Sequence, residues 1–212
     1  MDASLSSVME KRINKTIGNL QNNKMDAYYV KTCKDAVQLI DELCAEGETV
    51  AVGGSVTLSE CGVLDHLRSG KYQFYDRYAP DADTGKMFRQ AFFCDTFFTS
   101  SNAITEQGEL YNVDGTGNRV AAMIFGPKSV IVVAGYNKIV ADLEAARQRV
   151  RDTAAPANAI RLDKKTPCKV LGSCQNCRSD ERICAHYVVQ AQQTTKGRIK
   201  VIIVIDKKDC EK

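Results

Sequence analysis

The run Ser129-Val-Ile-Val-Val-Ala-Gly135 limits the possible folds of this chain more than any other segment. Its apolar residues are consecutive and mostly β-branched, so a strand built from them has no polar face to give to water. Such a strand needs cover on both sides, which points to the interior of a parallel sheet with helices above and below. Shorter runs of similar character recur at Thr49–Val52, Tyr72–Tyr75 and Asp95–Thr99, and a late one at Lys200–Ile205. Helical patterns alternate with them. Leu5, Met9, Ile13, Ile17 and Leu20 repeat at steps of four, four, four and three, and Val30, Cys33, Val37, Ile40 and Cys44 mark a second stripe. Asp26 is a candidate start for that second helix and Gly47 its stop.

Further helices are expected from Leu58 to Leu67, Asp83 to Phe93 and Val120 to Ile124. Another runs from Ile139 to Val150 and ends in a basic turn (Arg147, Arg149, Arg151) that suits the helix dipole. Strand followed by helix, four times over, predicts an α/β fold. The expected form is a mostly parallel, three-layer sheet with helices on both faces, preceded by N-terminal helices and joined by right-handed crossovers. The late strand is expected to return to that sheet. A chain of 212 residues is long enough for one full core, so residues 1–212 read as a single domain.

With 29 basic and 26 acidic residues the net charge is +3, too small to argue for nucleic acid or an anionic membrane surface. No apolar run approaches the ~18 residues of a membrane span. The N-terminus has no basic region followed by an apolar core, so it does not read as a secretory signal. Nine cysteines, an odd number, then read as reduced thiols or metal ligands in a cytoplasmic protein.

Polar residues collect between the strand-like runs. The loop Asn102–Arg119 holds Glu106 and Asp114 as carboxylates, Arg119 as a fixed fork of donors, and three glycines that admit a close backbone approach. Arg119 is placed to clamp a carboxylate or phosphate, with Asp114 orienting it or taking a proton; alternatively the two pair with each other to hold the loop. Gly53-Gly54-Ser55-Val56-Thr57 sits where a strand passes into a helix. Free N–H groups there, with the Ser55 and Thr57 hydroxyls, suit an anion, though the pattern identifies no nucleotide. Asn118 belongs to the same polar cluster as Asp114 and Arg119, and Asn137 and Lys138 hold a similar edge position just after the Ser129 to Ala134 run.

Cys33, Cys44, Cys61, Cys94 and Cys210 are scattered, and packing is their default role. Cys168, Cys174, Cys177 and Cys184 differ: C-x5-C-x2-C-x6-C in a short loop suits one tetrahedral metal or one iron–sulfur cluster. Spacing alone does not separate zinc from a 4Fe–4S cluster. Residues 166–186 are accordingly read as a Cys-rich module embedded in the domain, with His186 as a substitute ligand or a surface histidine.

Three motifs together, the loop with its phrase Ala103-Ile-Thr-Glu-x-Gly and Asp-Gly-x-Gly-Asn-Arg119, Gly53–Leu58, and Gly135-Tyr-Asn-Lys138, resemble the LUD domain family of lactate-utilisation proteins. The resemblance runs from roughly Lys11 to Cys184. It implies the superfold of ribose-5-phosphate isomerase and coenzyme A transferases. It also implies a small anionic metabolite as ligand and a link to lactate oxidation, with redox partner subunits and a preference for the iron–sulfur alternative. Glu106 looks like the glutamate nucleophile of the coenzyme A transferases, which would make the chain an acyl transferase or a sugar-phosphate isomerase instead. A non-catalytic scaffold with structural zinc is the third reading. Apolar stripes on the N-terminal helices are compatible with a homo-oligomer.

Overall fold

The computed structural model describes residues 3–205. Six strands form an all-parallel sheet in the order β1-β10-β7-β4-β2-β3. They are β1 (Asp26–Val30), β2 (Thr49–Val52), β3 (Gln73–Tyr75), β4 (Thr96–Thr99), β7 (Ser129–Gly135) and β10 (Ile199–Val204). The uninterrupted apolar run lies in its interior: β7 pairs with β4 on one side and β10 on the other, and β7 residues from Val130 to Gly135 are all buried. The late strand does return to this sheet.

Alternate residues of each strand serve two separate cores. Phe97, Val130, Val132, Val201 and Ile203 pack with Ile13 and Leu20 of α1 (Ala3–Asn22). Their neighbours Phe98, Ile131, Val133, Ile202 and Val204 pack on the opposite face. There they meet Ile40 of α2 (Cys33–Leu43), Leu58 of α3 (Val56–Glu60) and Val63 and Leu67 of α4 (Val63–Leu67). A period of two across a parallel sheet with helices on both faces is the arrangement the sequence predicts. Cys33, Cys44 and Cys61 lie in the second core, where the Cys33 and Cys61 sulfurs are 2.6 Å apart, and Cys94 lies in the first; Cys210 falls outside the described residues. No described helix is long and apolar enough to cross a membrane.

Several elements differ from expectation. Asp26 opens strand β1, and the cap of α2 is Thr32, whose hydroxyl accepts from the Asp35 N–H while the Asp35 carboxylate accepts from the Thr32 N–H. The helix expected over Leu58–Leu67 is two short ones, divided at Cys61-Gly62, where Gly62 takes φ +68°. The helix expected over Asp83–Phe93 is the shorter α5 (Thr84–Gln90), capped by Asp83. The loop expected over 102–119 contains two strands, β5 (Ala103–Thr105) and β6 (Leu110–Asp114), before α6 (Asn118–Ile124). With β8 (Ile139–Val140) and β9 (His186–Gln190) they form a second, four-stranded sheet in the order β8-β5-β6-β9.

The helix expected over Ile139–Val150 begins instead at α7 (Leu143–Arg149), capped by Asp142, and does not stop at its basic turn. It widens through a π turn at Val150–Ala154 and continues as α8 (Ala155–Arg161). Pro156 accounts for the widening: it has no N–H, and its ring would strike a carbonyl of a regular α-helical turn. The Ala155 N–H reaches back five residues to the Val150 carbonyl.

One face of α1 grips the β5–β6 turn. Arg12 and Lys15 pair with the Glu106 carboxylate, Asn19 donates to the Glu106 carbonyl, and Asn23 donates to the carbonyls of Gln107 and Gly108. Gly108 has φ +81°, and a Cβ there would lie 2.5 Å from the Leu20 nitrogen. Gly47 has a similar φ of +83° but open space around it. Gly47→Ala should therefore cost only the left-handed strain, about 1–2 kcal/mol. Gly108→Ala should cost about 1–3 kcal/mol more, because α1 backbone must move. Urea unfolding midpoints of the two variants check the difference.

Candidate functional site

The carboxyl ends of β2, β4 and β7 converge on one cleft, the position at which open parallel sheets take ligands. Its volume is about 710 Å³. Gly54, Ser55 and Thr57 line it from the β2–α3 turn, Ser100 to Asn102 from beyond β4, and Asn137 and Lys138 from the 3₁₀ turn after β7. Asp114, Asn118 and Arg119 approach from the start of α6, while Arg149, Thr153 and Arg161 approach from the α7–α8 run. The π turn puts Thr153 and Ala154 on this wall.

The three residues after β2 have separate jobs. Gly53 is buried, and a Cβ on it would sit 2.9 Å from Arg119 Cγ, so the missing side chain gives Arg119 its path. Gly54 is exposed and faces the cleft near Arg77. The Ser55 hydroxyl accepts from the Leu58 N–H and caps α3. With only five residues, α3 has little macrodipole to offer an anion.

Arg119 is spent internally. Its Nε donates to Asp114 Oδ1 at 2.8 Å, its Nη1 to the Ser100 carbonyl and Asn112 Oδ1, and its Nη2 to Asn102 Oδ1 and the Val113 carbonyl. The other Asp114 oxygen accepts the Val120 N–H at the start of α6. The second of the two sequence alternatives is thus what the geometry displays: Asp114 and Arg119 hold the loop, with no donor left over for a ligand. Glu106 does not reach the cleft. Hydrogen bonds from Lys15 and Arg12 hold its carboxyl below the ordinary 4.5, and the turn that carries it lies against α1.

The cations of the cleft are elsewhere. Lys138 Nζ donates to Thr57 Oγ1 at 2.9 Å and Ser100 Oγ at 2.7 Å. Arg149 donates to the carbonyls of Asn102 and Asn137, and among the described residues no carboxylate pairs with it. Burial lowers its pKa, which reflects a charge held out of water without a counter-charge. Arg77 stacks on Phe88, 4.5 Å from the ring centre, and its buried Nε has no hydrogen-bond partner among the described residues. Arg161 bonds the Asn158 amide oxygen, and Lys164 adds a further amine. Of these, only Lys138 was singled out as a site residue from sequence. The signal for Arg149 and Arg161 was Pro156 inside a helical pattern, since the wide turn it brings re-aims what flanks it.

The four clustered cysteines are not brought together. Cys168 is buried in α9 (Pro167–Leu171) beside the Thr166 hydroxyl, whereas Cys174, Cys177 and Cys184 lie in the partly exposed segment that follows. Among the described residues no three His, Cys, Asp or Glu side chains are grouped to hold a metal ion. As placed, this donor set does not fit a zinc ion or a cluster, and His186, on strand β9 against Gly117, does not complete it.

A parallel sheet covered on both faces, with a polar cleft at its strand ends, defines an α/β fold of the doubly covered, open-sheet kind. The chain belongs to the LUD domain family, whose model matches residues 13–204. Among solved structures it is similar to a DUF162 family protein from Deinococcus radiodurans, over 93% of this chain and 98% of that one. The TM-score is 0.55 at 10% sequence identity, a likeness of fold alone. It also matches eIF2B delta from Chaetomium thermophilum at 19% identity, over 62% of this chain and 52% of that one, but the TM-score of 0.33 carries no argument. No curated protein matches the chain.

Removing Arg119 strands the buried Asp114 carboxylate, so Arg119→Ala should lose about 3–5 kcal/mol in urea unfolding, well beyond a surface change. Glu106 behaves differently with pH. Its depressed pKa contributes stability that is present above 4.5 and lost as pH falls through the folded value. The stability gap between wild type and Glu106→Gln should accordingly be widest near neutral pH and close in acid. A gap independent of pH would exclude the ion-pair role.

Proposed function

We propose that this LUD-domain protein binds a small anionic metabolite in the cleft at the ends of β2, β4 and β7. The observation that carries the reading is Arg149, a half-buried residue lining the cleft whose guanidinium meets two backbone carbonyls and, among the described residues, no carboxylate. Taking a cation out of water costs free energy, and an incoming anion supplies the missing counter-charge. Lys138 lines the same cleft, held by Thr57 and Ser100, and can donate to the same ligand. Ser55, Asn118 and Asn137 add polar groups that orient it. Asp114, Arg119 and Gly53 act one step back, by fixing the loop that carries these contacts.

Lactate, suggested by the family, is one anion of this class. The reading needs neither covalent attack by Glu106 nor a step through the four-cysteine segment. Calorimetric titration at low salt with a panel of carboxylates and phosphates tests it. Wild type should bind at least one of them, with affinity falling as salt rises. Arg149→Ala and Lys138→Ala should each bind roughly tenfold to a hundredfold more weakly, the range for one hydrogen bond to a charged group. Glu106→Gln should bind as wild type does. Equal affinity in Arg149→Ala, Lys138→Ala and wild type would show that the anion goes elsewhere.

A further inference from the structure

The charge balance and shape of the cleft say more about the ligand than its sign. Outside the internal Asp114–Arg119 pair, Arg77, Lys138, Arg149, Arg161 and Lys164 line the cleft against one carboxylate, Glu60. Five cations less one anion leave four positive charges. These groups come from several elements. Lys138 stands at the strand ends beside Thr57 and Ser100, and the Arg149 guanidinium reaches the same region through the Asn137 and Asn102 carbonyls; Arg161 and Lys164 belong to the end of α8 and the residues just after it, and Arg77 is stacked on Phe88. A single carboxylate presents two oxygens and one charge, so it cannot answer all five.

The space is large in the same sense. The cleft of about 710 Å³ shares Ser55, Val56, Glu60, Tyr78 and Arg161 with a second hollow of about 800 Å³. Each is within the ordinary range for ligands of many atoms. A lactate ion would leave most of that room to water and most of the positive charge unmatched. Guanidinium groups, moreover, fit the tetrahedral oxygens of phosphate well, since their planar forks donate two parallel hydrogen bonds. Arg77 lines the cleft, and its Nε has no hydrogen-bond partner among the described residues.

We infer that the ligand of this cleft is a phosphate monoester of a small hydroxylated metabolite, not a simple hydroxy acid such as lactate. This rests on the anion-binding reading above and narrows it to a substrate class. A phosphate monoester carries about −1.5 to −2 at neutral pH and three acceptor oxygens, enough to engage more than one of the cleft's cations at once. The ester's organic part extends towards the second hollow past Ser55 and Tyr78.

Calorimetric titration with four probes under one buffer tests the class: glycerol 3-phosphate, glycerol, L-lactate and L-malate. Glycerol 3-phosphate should bind at least tenfold more tightly than lactate, and glycerol should not bind. Malate, a dianion without phosphate, should fall below glycerol 3-phosphate. Arg77→Ala and Arg161→Ala should weaken glycerol 3-phosphate binding severalfold while leaving any lactate binding within twofold of wild type. Lactate binding as tightly as glycerol 3-phosphate overturns the inference and leaves the anion site standing. Malate matching glycerol 3-phosphate overturns it too, because charge alone would then suffice. If none of the four binds while only carboxylates of the wider panel do, the phosphate class is wrong; if no anion binds at all, the anion site itself is wrong.

Discussion

A buried guanidinium is an expensive thing to place in a protein, and the order of this one depends on how fully Arg119 is answered. Its donors reach the end of β4 through the Ser100 carbonyl, the β4–β5 link through Asn102, and strand β6 through Asn112, Val113 and Asp114. One side chain therefore fastens the large parallel sheet to the small one and to α6. The cost of removing such a charge from water is several kcal/mol, offset here by a carboxylate and a full shell of oxygens. Gly53 is part of the same device, since any side chain on it would collide with the arginine stem. The cleft is lined in part by this joint, with Ser100, Asn102, Asp114 and Arg119 on its surface.

Satisfied and unsatisfied cations divide the labour. Arg119 has every donor engaged and builds the frame. Among the described residues Arg149 has no carboxylate partner and the Arg77 Nε no hydrogen-bond partner, and both residues line the cleft. Glu106 belongs with the frame as well: its ion pairs with Arg12 and Lys15 fasten α1 over the β5–β6 turn. Polar side chains that look alike in sequence thus serve opposite purposes, and what separates them is whether the fold supplies their partners.

That distinction explains what the sequence could and could not reveal. Strands β7 and β10 were legible because a continuous β-branched run has few other places to go. Strands β5 and β6 were not, since Thr105, Asn112 and Asp114 are polar residues buried by side-chain contacts from elsewhere in the chain. The short β1 was hidden because Val30 falls in step with the apolar stripe of α2. The Asn102–Arg119 loop stood out as a polar cluster, and Asp114 and Arg119 do meet, but residue type alone could not say that they would use up each other's capacity. Arg77, Arg149 and Arg161 come from segments remote in sequence, so only the tertiary fold assembles them. The thiols of Cys168, Cys174, Cys177 and Cys184 show the reverse case: close spacing did not become close placement.

The most direct test of the account is a two-dimensional amide NMR titration with inorganic phosphate. Resonances of Gly54 to Thr57, Ser100 to Asn102 and Asn137 to Lys138 should shift together and saturably, with those of Glu106 to Gly108 and Cys168 to Cys184 unmoved. Shifts centred on the Glu106 turn or the cysteine segment, with the strand-end amides unchanged, would contradict it.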